Sequence, residues 1–153
     1  MKREGRSIFQ SFGDAFRGLF CVIKRERNFR IHICMAVYVI YFSIVASVEI
    51  AALSDFLICF GLVFSLELVN TAIEKLCDVV TEEWDDRIKA IKDISAAAVL
   101  VSAVFAAVVG LFVFLSPPIF KKIISEYISA PWLLLAFPGT VPLSVWFIAK
   151  RSK

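Results

Sequence analysis

Glu67, Asn70, Thr71, Glu74 and Asp78 share one stretch, FSLELVNTAIEKLCDVV (residues 64–80), whose first half continues an apolar run from Phe56. At about 100° per residue, these five side chains fall within a sector of about 100° on one helix face. A charged residue near the bilayer centre costs roughly 2.5–3.5 kcal/mol on insertion scales, so the stripe must face protein, an ion or a wet cleft. Seven residues at ~1.5 Å each put Glu67 roughly 10 Å deeper than Glu74. Both reach one metal ion only with fully extended side chains, which points to separate tasks. Glu74, near the interface, suits a hard cation, because Mg2+ takes one or two carboxylates together with phosphate oxygens and water. Glu26, at about the same level on the juxtamembrane segment, is the candidate second carboxylate. Glu67, deeper and drier, suits a general base that reaches a lipid headgroup hydroxyl. Lys92, at the cytoplasmic mouth of the third apolar run, is the candidate phosphate contact.

Each group also has a plainer role open to it. Asn70 serves as interhelical glue or as a ligand. Asp93, in KDIS, caps the third span or joins the site. Lys92 snorkels, Glu26 forms a surface ion pair, and His32 and Trp84 anchor at the interface. The constellation is more specific than any member.

Placing such groups in lipid requires membrane helices. The chain has 153 residues, 59% of them hydrophobic, and a mean hydropathy of +0.80. That composition belongs to an integral membrane protein. Three runs, 31–50, 56–76 and 94–115, reach the roughly 20 apolar residues that a span needs. A fourth, 131–149, contains Pro138, Gly139 and Pro142; it reads as a kinked span, with a re-entrant or surface segment as the alternative. No signal peptide is expected, since no small-residue cleavage site follows a short apolar core. Residues 7–24 alternate Phe9, Phe12, Phe16, Leu19, Phe20 and Ile23 with polar groups at helical spacing, the pattern of a helix lying on the inner leaflet.

The class is therefore an all-α integral membrane protein: an N-terminal amphipathic surface helix, three core spans and a proline-kinked fourth. Residues 1–116 form the membrane domain; 117–153 form an amphipathic linker and the fourth span. With four crossings, fifteen of the seventeen Lys and Arg fall on one side, which sets both termini in the cytoplasm. The basic residues are topology signals, and no nucleic-acid partner is expected. The turn at 51–55 holds no Lys or Arg, and the segment 78–93 reads as a charged cytoplasmic loop. Ala98, Ser102, Ala106 and Gly110 recur every four residues, a small face that implies a tight bundle or a tight oligomer. Cys21, Cys34, Cys59 and Cys77 lie far apart without a CxxC pair and read as packing residues.

ELVNTAIEKLCDVV, followed after a short acidic loop by IKAIKDISAAAVL, resembles the core of the bacterial diacylglycerol kinase and undecaprenol kinase family. FGDAFRGL and ERNFRIH resemble that family's surface helix and the glutamate-bearing segment before its first span. The resemblance covers roughly residues 6–115. It implies a homotrimeric kinase of the bacterial inner membrane that uses Mg-ATP to phosphorylate a lipid alcohol, undecaprenol or diacylglycerol. It implies Glu67 as catalytic base and Glu26 and Glu74 as Mg2+ ligands. Asn70, Glu83, Trp84, Asp85, Lys92 and Asp93 match nucleotide-binding positions, and Phe29 and Ser95 join Glu67 as candidate lipid contacts. Three departures stand out: the fourth apolar segment has no counterpart in the family's three-span core, Asp14 falls where some members have an aromatic, and His32 where some have glutamate. Neither a GxxxxGK loop nor a protein-kinase glycine loop is present. A small membrane transporter or proton relay is the alternative, but the outer half of the second span, 56–65, holds no ionisable residue.

Overall fold

The structure, a computed structural model, describes residues 7–81 and 83–150, with side-chain surroundings for all but 131–138. Lys2, Arg3, Arg6, Arg151 and Lys153, which count toward the expected orientation, lie outside the described residues. Six helices follow one another: α1 Ile8–Arg25, α2 Arg27–Val45, α3 Ile50–Val80, α4 Asp86–Phe114, α5 Pro117–Ser129 and α6 Pro131–Ala149.

The surface helix begins where expected. The Ser7 backbone N–H donates to Gln10 Oε1 at 3.2 Å, satisfying one group at the start of α1. Its phenylalanines Phe9, Phe12, Phe16 and Phe20 are all exposed, as a helix resting on lipid requires. Glu26 alone separates α1 from α2; its extended backbone, φ −93° and ψ 116°, ends one helix and starts the next.

α3 and α4 are longer than their apolar runs, about 46 and 43 Å at ~1.5 Å per residue. Both exceed the ~30 Å hydrocarbon layer, because helical hydrogen bonding continues past the point where the side chains turn polar. The expected loop 78–93 is accordingly mostly helix, and only 81–85 lies between α3 and α4. The first turn also differs from expectation. The chain reverses at 46–49, and residues 51–55 are already helical. Ser47 takes a left-handed conformation, φ 49°. Its N–H bonds to Ile44 O and that of Val48 to Ser43 O, 3.1 and 2.9 Å, the paired bonds of a Schellman stop. Polarity carries no trace of such a turn.

α3 packs most extensively on α4, with α2 on its other side. A column of rings joins the two ends. Phe29 lies 5.5 Å from Phe64, Phe60 links Phe64 to Phe56, and Phe56 stacks on Phe114 at 5.6 Å. Within the chain the small face of α4 joins a helix seam only at Ser102: Ala98 is exposed, and a Cβ on Gly110 would meet nothing. The buried seam runs through Ser95, Val99 and Ser102. All four cysteines are free thiols, and Cys77 is buried.

The C-terminal segment is a helix antiparallel to α2. Tyr38 and Ser144 share a 2.7 Å hydrogen bond, and Arg30 reaches Ile148 O near the far end of α6. Arg30 is only 5% exposed. Its guanidinium also donates to Ile23 O and Lys24 O, at 3.1 and 2.8 Å. One cation thus sits at the carbonyl ends of both α1 and α6, where the helix dipoles favour positive charge. The C-terminal ends of α1 and α6 thus meet at the start of α2.

Candidate active site

The stripe faces α4. Glu67, Asn70 and Thr71 are 3, 7 and 3% exposed, while Glu74 is half-buried and Asp78 exposed. Between the helices runs a hydrogen-bonded line: Ser95 Oγ donates to Asn70 Oδ1 at 2.6 Å, and Asn70 Nδ2 donates to Glu74 Oε1 at 3.0 Å. The carboxylate fixes the direction. An amide turned the other way would set its oxygen against Glu74, acceptor against acceptor. Asn70 is therefore both interhelical glue and the group that orients Glu74. Ser95, a candidate lipid contact, has its hydroxyl inside this line, and Phe29, the other, is buried in the ring column.

Glu26, at the corner between α1 and α2, is half-buried. Glu26 and Glu74 both lie close enough to Glu67 to act on it electrostatically. Three carboxylates thus approach one another without closing on a point, and among the described residues no three His, Cys, Asp or Glu form a metal cage. Mg2+ binds through one or two carboxylates and leaves its other positions to phosphate oxygens and water. Glu74 keeps its second oxygen outside the Asn70 bond, and Glu26 is the other carboxylate at this level.

Toward the polar end of α3 and the start of α4 a cleft of about 660 Å³ opens, lined by Asp78, Thr81, Glu83, Trp84, Asp85, Ile88, Lys89 and Lys92. Lys92 Nζ donates to Asp78 Oδ1 at 2.6 Å and lies within electrostatic reach of Glu74, which joins the cleft to the deeper carboxylates. Trp84 is 77% exposed. Its indole N–H donates to Asp86 Oδ1 at 3.1 Å, and Lys89 Nζ sits 5.5 Å above its ring. Glu83, also exposed, is turned by its N–H bond to Thr81 Oγ1.

Asp85 has a structural task as well. Its side chain accepts from the Arg87 N–H at 2.8 Å and so caps α4. The Arg87 side chain beside it holds its pKa down at about 2. Asp93 does not cap the helix; it lies two turns inside α4, exposed. Asp14 pairs with Arg17 on the surface of α1. Thr81, Ile88 and Lys89 are cleft residues that the sequence reading missed. Asp85, Ile88, Lys89 and Lys92 share one helix face by spacing, a signal hidden when 78–93 is taken as a loop.

Residues 13–114 match the family model described as prokaryotic diacylglycerol kinase. The undecaprenol kinase of Bacillus subtilis (strain 168) is 37% identical over 114 residues, which cover 74% of this chain and 93% of that protein. The diacylglycerol kinase of Synechocystis sp. (strain ATCC 27184 / PCC 6803 / Kazusa) is 35% identical over 112 residues; these cover 72% of this chain and 64% of that longer protein. No solved structure matches.

Proposed function

The chain belongs to the prokaryotic diacylglycerol kinase family and is a lipid kinase, and we propose that it transfers the γ-phosphoryl group of Mg-ATP to the hydroxyl of undecaprenol or diacylglycerol at the cytoplasmic face of the bacterial inner membrane. The observation that carries this is the buried Glu67 beside the Ser95–Asn70–Glu74 line, one step from a cleft that holds Trp84, Lys89 and Lys92.

Phosphoryl transfer passes through a loose transition state and asks the protein mainly for position and charge. In this reading the Glu67 carboxylate accepts a hydrogen bond from the lipid hydroxyl. As the new bond from oxygen to γ-phosphorus forms and the bond to the bridging oxygen breaks, Glu67 takes the proton and ADP leaves. Asn70 holds Glu74 in one rotamer, and Ser95 holds Asn70. Lys92 and Lys89 balance phosphate charge, while Glu83, Trp84, Asp85 and Asp93 border the nucleotide. Glu74 and Glu26 would hold Mg2+, which when bound would neutralise charge on the phosphate oxygens. Residues 1–116 act as the kinase domain, and the active unit is a homotrimer, as the family resemblance implies. An apolar groove of about 520 Å³ between α2 and α4, lined by Phe60, Phe64, Ala106 and Gly110, stays open within one chain.

A proton relay fits the interior poorly. Beyond the site, the buried hydroxyls of Ser43 and Ser102 bond to carbonyls of their own helices, and rings fill the outer half of α3. The test is purified protein in mixed micelles with radiolabelled ATP and each lipid in turn. Label should enter lipid only with Mg2+, and Glu74→Gln should raise the Mg2+ concentration needed for half-maximal rate. Transfer that ignores Mg2+ in both proteins would overturn the metal assignment, and no label in either lipid would overturn the substrate class.

A further inference from the structure

Where α1 and α6 end, a pocket of about 280 Å³ opens between them, lined by Ile23, Lys24, Arg30, Trp146, Phe147 and Lys150. We infer that it binds the headgroup phosphate of an anionic phospholipid of the inner leaflet. Ile23, Lys24 and Arg30 lie within the family match at residues 13–114 and the other three on or just past α6 beyond it; none of the carboxylates of α3 lines the pocket.

The lining carries three cations and no acidic side chain. Arg30 is buried and fixed: its guanidinium makes four hydrogen bonds, two to Ile148 O and one each to Ile23 O and Lys24 O. A guanidinium has five N–H donors, so one remains, on a charge that already offsets the negative ends of two helices. Lys24 and Lys150 are exposed, and among the described residues neither forms an ion pair. Their ammonium groups, one from each helix end, supply the charge for an incoming anion. Lys150 Nζ lies 4.8 Å from the Trp146 ring centroid, so the cation is held above an aromatic ring of the kind that settles at headgroup depth. Ile23 and Phe147 give the same pocket an apolar side against which the first methylenes of an acyl chain can rest. A basic pocket between helix ends on the cytoplasmic side is the arrangement that selects anionic headgroups.

The shared chemistry, a phosphate oxyanion, also admits free phosphate, and the experiment separates the two. The full chain in detergent is titrated with phosphatidylglycerol, with phosphatidylcholine and with inorganic phosphate, and retained lipid is counted by native mass spectrometry. Two lysines near the surface should make the tightest phosphatidylglycerol about thirtyfold stronger than phosphatidylcholine. Lys24→Gln with Lys150→Gln should erase that preference and leave phosphatidylcholine retention unchanged; Lys24→Arg with Lys150→Arg should keep it. Lys150→Glu alone, which leaves α1 intact, should also remove it. Wild-type preference in the Gln pair or in Lys150→Glu would overturn the inference, as would displacement of phosphatidylglycerol by millimolar inorganic phosphate.

Discussion

The two halves of α3 bury different material against the same neighbour. In the N-terminal half the buried residues are Phe56 and Val63, and Phe56 stacks on Phe114. In the C-terminal half they are Glu67, Asn70, Thr71 and Cys77, and the bridge to α4 is the Ser95–Asn70 hydrogen bond. An apolar solvent gives helices no hydrophobic drive to associate, so contacts come from packing or from polar bonds. The first half uses packing, which asks nothing of a substrate. The second uses polar groups whose burial is costly unless they are satisfied, and it leaves the Glu67 carboxylate without a side-chain partner of its own among the described residues. One half holds the bundle together; the other half carries the groups to which our proposal assigns the chemistry.

Variants can break this division. Phe56→Ala opens the ring column and should cost about 3–5 kcal/mol in unfolding free energy, with turnover per folded molecule unchanged; denaturant titration alongside the kinase assay measures both. Asn70→Ala should do the reverse. Releasing Glu74 and breaking the Ser95 bridge should lower kcat about a hundredfold, against a stability loss of about 1–3 kcal/mol for two lost hydrogen bonds; Ser95 Oγ still has Lys92 O as an acceptor at 2.9 Å. Equal loss of turnover in the two variants would erase the distinction between the halves. A smaller change sharpens it. Ser47→Gly relieves a left-handed residue just past the C-terminal end of α2 and should stabilise the protein by about 1 kcal/mol without altering turnover.

Much of this division was legible in the sequence. Helical spacing alone gathers Glu67, Asn70 and Glu74 on one face, and α4 is the helix they meet. Apolar length locates the spans, and the surface helix ends within one residue of expectation. What stayed hidden depends on the backbone or on contacts far apart in the chain. The left-handed Ser47 leaves no mark on polarity, so the first turn was misplaced. The helical stretches 78–80 and 86–93 are charged yet hydrogen-bonded as helix, which concealed Lys89 and Ile88. Arg30 bonds to main-chain carbonyls, acceptors every residue carries, so nothing in the sequence marks it as the joint between α1, α2 and α6. Asp85 and Asp93 show the same limit, since either suits a cap and only the true start of α4 chooses between them.

The central claim is that Glu67 takes the proton of a lipid alcohol. Its most direct test compares wild type with Glu67→Gln for label transfer from ATP at saturating Mg2+ and for nucleotide affinity in the same preparation. The account predicts transfer reduced by about 10²–10⁴, with nucleotide affinity nearly unchanged. Label transfer at the wild-type rate would contradict it.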